Sequence, residues 1–182
     1  MRPTYVKVSV ALSFLLAIIV FSLFLPNKLA KATVTEWFKI APNTCTIRVD
    51  SSEDDRSKSE HGTWAQLFLD SSQTGTRSIS AYCPVHVPDG AAMDLLRIRT
   101  FKSGGLPSNT DIKAYLRRVK WDGSVSTEGT ADLDPGDSGD SVVVSETVDN
   151  ENYVYYVEVY LYKNSSATTM PELEMIEIRY SI

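Results

Sequence analysis

Ten residues near the C-terminal end, Tyr153–Tyr162 (YVYYVEVYLY), constrain this chain more than any other stretch. A strand sends successive side chains to opposite faces. Tyr153, Tyr155, Val157, Val159 and Leu161 therefore share one face, and Val154, Tyr156, Glu158, Tyr160 and Tyr162 share the other. The first set is a natural core face. The second is a row of tyrosines beside a carboxylate, which fits cross-strand pairs that stiffen a sheet or a subunit interface. It also fits a sugar-binding surface, with Tyr156, Tyr160 and Tyr162 stacking on apolar sugar faces and Glu158 taking hydroxyls.

The same period recurs along the chain. Thr44–Val49, Trp64–Asp70, Ser78–Val87, Leu95–Phe101, Asp111–Trp121, Ser141–Val148 and Leu173–Ile182 are rich in β-branched and aromatic residues, and turn-forming residues bound them. Asp111–Val119 could pass for a short helix, but Ile112, Ala114 and Leu116 alternate with charged neighbours and favour a strand. Between the strands lie a charged run at Ser51–Glu60, a Gly-Gly-Leu-Pro loop after Ser103 and a long acidic connection at Asp122–Gly139. Short strands at this spacing predict an all-β fold, a two-sheet antiparallel β-sandwich with a jelly-roll-like arrangement.

At the N-terminus, Arg2 and Lys7 precede an uncharged run, residues 8–25, followed by Pro26 and the small-residue triplet Ala30-Lys31-Ala32. These are the three parts of a secretory signal peptide. The run is longer than a usual signal core and just reaches the length of a membrane-spanning helix. Residues 1–32 are thus expected to be a signal peptide cleaved after Ala32, or else an uncleaved hydrophobic helix that anchors the chain. Pro26, placed shortly before a properly spaced small-residue site, favours cleavage. Either way residues 33–182 are expected outside the cytoplasm as a single β-sandwich domain, secreted, extracellular or periplasmic, with membrane contact only through residues 8–25.

Four of the eighteen basic residues and none of the twenty-three acidic ones precede residue 33, so residues 33–182 carry a formal charge of −9. Such a surface argues against nucleic acid or anionic lipid as the main partner, because phosphate binding needs clustered Lys and Arg. The basic cluster Arg117, Arg118 and Lys120 reads as the solvated face of a strand.

The only cysteines, Cys45 and Cys83, both lie in the exported part and are expected to pair as a disulfide. A catalytic thiol wants a nearby base, and Cys45, His61, Cys83 and His86 lack zinc-site spacing. Asp132, Asp134, Asp137 and Asp140 crowd around Pro135 and Gly136, so calcium is a candidate ligand that would pin the loop. The run lacks the closing glutamate of an EF-hand, and a solvated turn contains the same residues. No G-x-S-x-G motif accompanies His61 or His86, and no carboxylate pair stands out for glycosidase chemistry. No catalytic residue is therefore assigned. A non-enzyme without a required cofactor is expected, with a hydrolase last among the readings.

The run Ala81-Tyr82-Cys83-Pro84-Val85-His86-Val87-Pro88-Asp89-Gly90-Ala91, then Leu95–Phe101, Ala114-Tyr115-Leu116-Arg117-Arg118, Val148-Asp149-Asn150, Tyr153–Leu161 and Ile176–Tyr180 resembles a loose group of uncharacterised secreted bacterial β-sandwich proteins. The likeness spans roughly the last two thirds of the exported part, and the stretch around Ser51–Glu60 departs from it. It implies export and a sandwich fold, with no established activity and no catalytic residue to carry over. Two functional classes follow. One is a secreted or envelope-associated module for protein interaction or self-assembly. The other is a carbohydrate-binding module using the tyrosine strand face, which requires the rings of Tyr156, Tyr160 and Tyr162 to be open and coplanar.

Overall fold

The computed structural model describes residues 33–48, 57–61, 64–68, 75–100, 104–167 and 169–182. The expected export segment, residues 1–32, lies outside them. Val34–Ile182 form one compact unit, and no helix among the described residues is long and apolar enough to cross a membrane.

Twelve strands follow in chain order among the described residues: β1 Thr35–Ile40, β2 Thr46–Ile47, β3 Ser57–His61, β4 Trp64–Phe68, β5 Arg77–Pro84, β6 Ala92–Arg99, β7 Thr110–Lys120, β8 Val125–Leu133, β9 Gly139–Thr147, β10 Tyr153–Lys163, β11 Glu172–Leu173 and β12 Met175–Ser181. A four-stranded sheet has the order β1-β12-β6-β9 and a five-stranded sheet the order β2-β5-β10-β7-β8, while β11-β4-β3 form a small third sheet. Every pairing is antiparallel. From β5 to β10 the chain mostly crosses between the two large sheets, so neighbours within each sheet are distant in sequence.

The alternation read from the sequence sets the core. In β10, Tyr155, Val157, Val159 and Leu161 are buried; Ile79, Ala81 and Cys83 from β5 and Ile112, Ala114 and Leu116 from β7 join them. The facing sheet contributes Met93, Leu96 and Ile98 from β6, and Ile176, Ile178 and Tyr180 from β12. Burying such side chains is the main stabilising term, each fully buried Leu or Ile being worth roughly 1.5–3 kcal/mol. The short-helix alternative for Asp111–Val119 is replaced by strand β7, with the alternating burial that Ile112, Ala114 and Leu116 announced.

Three readings need correction. The acidic connection Asp122–Gly139 contains β8, which pairs with β7 from Val119↔Val125 to Ile112↔Leu133. Only Ala131 and Leu133 of β8 are buried, so an edge strand with a polar sequence escaped the hydrophobic pattern. The charged break at Ser51–Glu60 runs into β3; its residues 51–56 lie outside the described residues. Arg117 and Arg118 do not share a solvated face. Arg117 reaches Glu158 on the outside of the sheet, while Arg118 turns toward buried Glu146 at one end of the sandwich.

The Arg118 cluster seals that end. Its Nη1 donates to Glu146 Oε1 at 2.8 Å, its Nε lies 2.9 Å from Glu128 Oε1, and its guanidinium covers the Tyr153 ring. Tyr155 Oη donates to Glu146 at 3.0 Å and accepts from the Asp149 amide at 3.1 Å. Asp149 opens the turn into β10. Nearby, the Asn150 amide bonds Asp89 of the Pro88-Asp89-Gly90 turn, so two stretches singled out in the sequence meet in space. Leu106 is pinned between loops through its amide on Asp137 O and its carbonyl on the Gly136 amide. A side chain at Gly105 would overlap the Gly136 carbonyl there. At the opposite edge, Val34 and Ile182 exchange backbone hydrogen bonds.

Cys45 and Cys83 are fully buried and bonded, with Cα atoms 4.3 Å apart across a separation of 38 residues. Closing such a loop is worth about 4 kcal/mol in the chain-entropy account. The Cys45→Ala/Cys83→Ala variant is expected to lose about that much unfolding free energy in a urea titration; a loss below about 1 kcal/mol would show that the unfolded chain is already constrained.

Burial pushes the Tyr155 hydroxyl up to about 12, with the Glu146 charge acting in the same direction and the Asp149 amide opposing it. A raised pKa favours the protonated group in the fold, so its contribution is complete below about pH 10, the unfolded value, and is lost as pH rises through 12. Tyr155→Phe is expected to cost about 1–3 kcal/mol at neutral pH. The gap between variant and parent, followed by urea unfolding at increasing pH, should close across that alkaline window.

Candidate binding face on the five-stranded sheet

The outward side of the five-stranded sheet gathers five of the chain's nine tyrosines. Alternation along β10 turns Tyr156, Glu158, Tyr160 and Tyr162 outward, each half-buried. Register then brings neighbours that sequence could not place. Tyr82 of β5 and Tyr115 of β7 stand directly opposite Glu158. Ser80 and Lys113 flank Tyr160, and Pro84 and Arg117 flank Tyr156. The alternation in β5 and β7 marks these residues as outward, but nothing in a single sequence says which strands lie beside β10.

The face is held in place by ring and charge contacts. Tyr160 and Tyr162 lie nearly parallel, 14° apart in plane with centroids 6.5 Å apart, while Tyr156 meets Tyr82 edge-on at 5.6 Å, so of the three rings expected to be open and coplanar all are half-buried and two share a plane direction. Arg117 donates through Nε and Nη2 to Glu158 Oε2, at 2.9 and 2.8 Å, and its guanidinium lies over the Tyr115 ring at 4.8 Å. Both contacts fall on Oε2 of the carboxylate. Burial raises the Tyr156 hydroxyl pKa, and the Glu158 charge adds to it while Arg117 opposes. Tyr156 therefore stays protonated at neutral pH as a hydrogen-bond donor.

The four aspartates considered for calcium are not brought together. Asp132 and Asp134 instead join Asp111 of β7, with carboxylate oxygens within 4.8 Å of one another. Asp140 turns to the Asp132 amide, its Oδ2 accepting at 2.8 Å, and the Asp137 amide closes a turn on the Asp134 carbonyl. Lys113 already stands at the aspartate cluster, its Nζ 2.7 Å from Asp132 and 3.5 Å from Asp111. The ammonium thus supplies a positive charge to two of the three carboxylates. Burial first, then the neighbouring Asp132 charge, raises the Asp111 pKa, while Lys113 works against both. His86 is exposed and meets Phe38 edge-on; the side chain of His61 lies outside what is described.

No family model matches this sequence, and no curated protein matches it. Solved structures do align over most of the chain. The family 32 CBM from C. perfringens NanJ, in complex with galactose, is 13% identical over 78% of this chain and 99% of its own, with a TM-score of 0.36. Carbohydrate-binding modules from the β-sandwich superfamily align at 10% identity over 82% of this chain and 54% of theirs, TM-score 0.37. Infectious bursal disease virus, Gx strain, aligns at 8% identity over 82% of this chain and 32% of its own, TM-score 0.34.

If Lys113 is the resident cation, parent protein should give no calcium-binding heat by calorimetry. Lys113→Ala leaves three carboxylates without a counter-charge and should acquire calcium binding together with a calcium-dependent rise in Tm. Calcium binding by the parent protein would refute the assignment.

Proposed function

We propose that this chain is a non-catalytic extracytoplasmic binding module that takes a glycan on the outward tyrosine face of its five-stranded sheet. The observation that carries the reading is the set Tyr82, Tyr115, Tyr156, Tyr160 and Tyr162 around Glu158, half-buried and outward-facing. Aromatic faces accept the apolar side of a sugar ring, while Glu158, Lys113 and the tyrosine hydroxyls address its hydroxyl groups. Packing against neighbours fixes the rings beforehand, so little side-chain freedom is lost on binding. The surface is a sheet face, which suits several successive units of an extended chain. Tyr156 to Tyr162 spans about 20 Å at about 3.3 Å per residue.

The strand orders β1-β12-β6-β9 and β5-β10-β7-β8 follow a jelly-roll pattern, which supports placing the chain with the secreted bacterial β-sandwich proteins it resembles. The buried disulfide supports an oxidising compartment.

A second reading, a protein partner or self-association, has its own observation. Val154, Val119 and Val125 stand opposite one another at the end of the same sheet face. Val154 and Val125 are 69% and 52% exposed, and Trp121 beyond them is 85% exposed. Exposed apolar groups that lie side by side mark interaction sites.

A glycan array probed with parent protein and Tyr160→Ala separates the two readings. Saturable binding that weakens at least tenfold in Tyr160→Ala, about 1.4 kcal/mol, is the expected result. Absence of glycan binding, with sedimentation showing an oligomer that Val154→Asp dissolves, would replace the glycan reading with self-association.

A further inference from the structure

The outward side of the four-stranded sheet carries charged side chains where the other carries tyrosines. Register sets Lys39, Glu177, Arg97 and Ser141 in one row across β1, β12, β6 and β9. Glu177 points outward, yet its side chain is only 5% exposed, because cationic side chains roof it. Arg97 grips it closely through Nε at 2.7 Å, and its guanidinium lies 4.2 Å from the Trp37 ring centroid. Lys39 and Arg99 stand farther off, at 3.7 and 3.9 Å, with side chains 64% and 40% exposed. One carboxylate thus answers three cations. Arg179 in the next row is matched by Asp94. Lys39, Arg97 and Arg99 against Glu177 and the nearby Asp140 leave one positive charge in excess, on a chain whose residues 33–182 carry −9.

Beside this cluster runs a groove of about 550 Å³ whose lining includes Arg97, Arg99, Ser138, Gly139, Asp140 and Ser141. Gly139 stands opposite Arg99 in the register, and a Cβ there would come within 3.3 Å of the Arg99 side chain. The missing side chain leaves room for the Arg99 stem and the Ile98 carbonyl beside it. The carboxylate of Asp140 is engaged by the Asp132 amide. Arginine forks, hydroxyl donors and a neighbouring indole are what a carboxylated sugar requires.

We propose that this groove, together with the cationic row that leads across the sheet to Lys39, is a second binding site, separate from the tyrosine face, for an acidic polysaccharide whose carboxylates pair with Arg99 in the groove and Lys39 farther along the row. Three cations around one carboxylate match a chain with widely spaced charges. A nucleic acid presents a phosphate every 1.7 Å or so of duplex, and the acidic remainder of the molecule would repel it.

The test uses the full chain purified from an oxidising compartment, with polygalacturonate as probe, its methyl ester as the uncharged counterpart and polyglutamate as a charge-matched peptide. Calorimetry should find polygalacturonate bound at least tenfold more tightly than the ester, with affinity falling as salt rises. Lys39→Gln/Arg99→Gln should weaken binding at least tenfold, and Asp122→Asn, in the exposed β7–β8 turn, should leave it unchanged. Because Lys39 is largely exposed, Lys39→Gln alone serves as the second variant should the double one fail to fold, with a severalfold loss expected. Equal affinity for polymer and ester, or unchanged binding in the Lys39 variant, would each overturn the site. Equally tight binding of polyglutamate would overturn the polysaccharide assignment in favour of an acidic protein partner.

Discussion

The period of two in β10 is the constraint on which the rest depends. β10 is hydrogen-bonded on both sides, to β5 and β7, and each of its faces is committed. A slip of one residue would carry Val157, Val159 and Leu161 to the surface and drive Glu158 into the core. Burial of four side chains therefore fixes not only the core but which tyrosines look outward. It also sets Tyr82 and Tyr115 on either side of Glu158. The geometry of the candidate binding face is inherited from a decision made on the opposite side of the same strand.

This explains what the sequence disclosed and what it withheld. Strands with one apolar face, such as β5, β7, β10 and β12, were legible because alternation reports burial directly. The edge strands β2 and β9 were read as well, but the more polar edges β1 and β8 were not. β1 carries Glu36 and Lys39 and buries only Ile40, and β8 places Gly129 where a side chain would press on Val142 and Val144. Polar or Gly-containing edges serve solubility and close approach rather than the core, so a pattern built on hydrophobicity passes them by. The candidate site divides along the same line. Tyr156, Glu158, Tyr160 and Tyr162 share one strand and were readable together. Tyr82, Tyr115, Arg117 and Lys113 reach them only through pairings between strands 30 to 80 residues apart, and a single sequence does not encode partner choice locally. The aspartates show the converse error: closeness along the chain suggested a cluster, whereas strand pairing exchanged Asp137 and Asp140 for Asp111 and supplied Lys113 as a counter-charge.

The two outer surfaces use charged groups differently. On the five-stranded sheet, Arg117 and Glu158 pair one to one and Lys113 is shared between carboxylates, leaving aromatic rings as the distinctive feature. On the four-stranded sheet, Glu177 is overmatched by Lys39, Arg97 and Arg99, leaving positive charge as the distinctive feature. A sandwich permits this separation because its core insulates the two faces, and each surface can be tuned without disturbing the other.

The backbone bonds between Val34 and Ile182 set the way this domain bears load. The first residue of the compact unit and its last lie side by side at one corner, at the mouth of the β1–β12 pair. Tension applied between them would peel β1 from β12 one pair at a time, from Thr35↔Ser181 inward, rather than shearing all the bonds at once. Such a corner yields at low force when the domain is pulled in series between two attachments. Held by residue 34 alone, the domain carries no load across that pair.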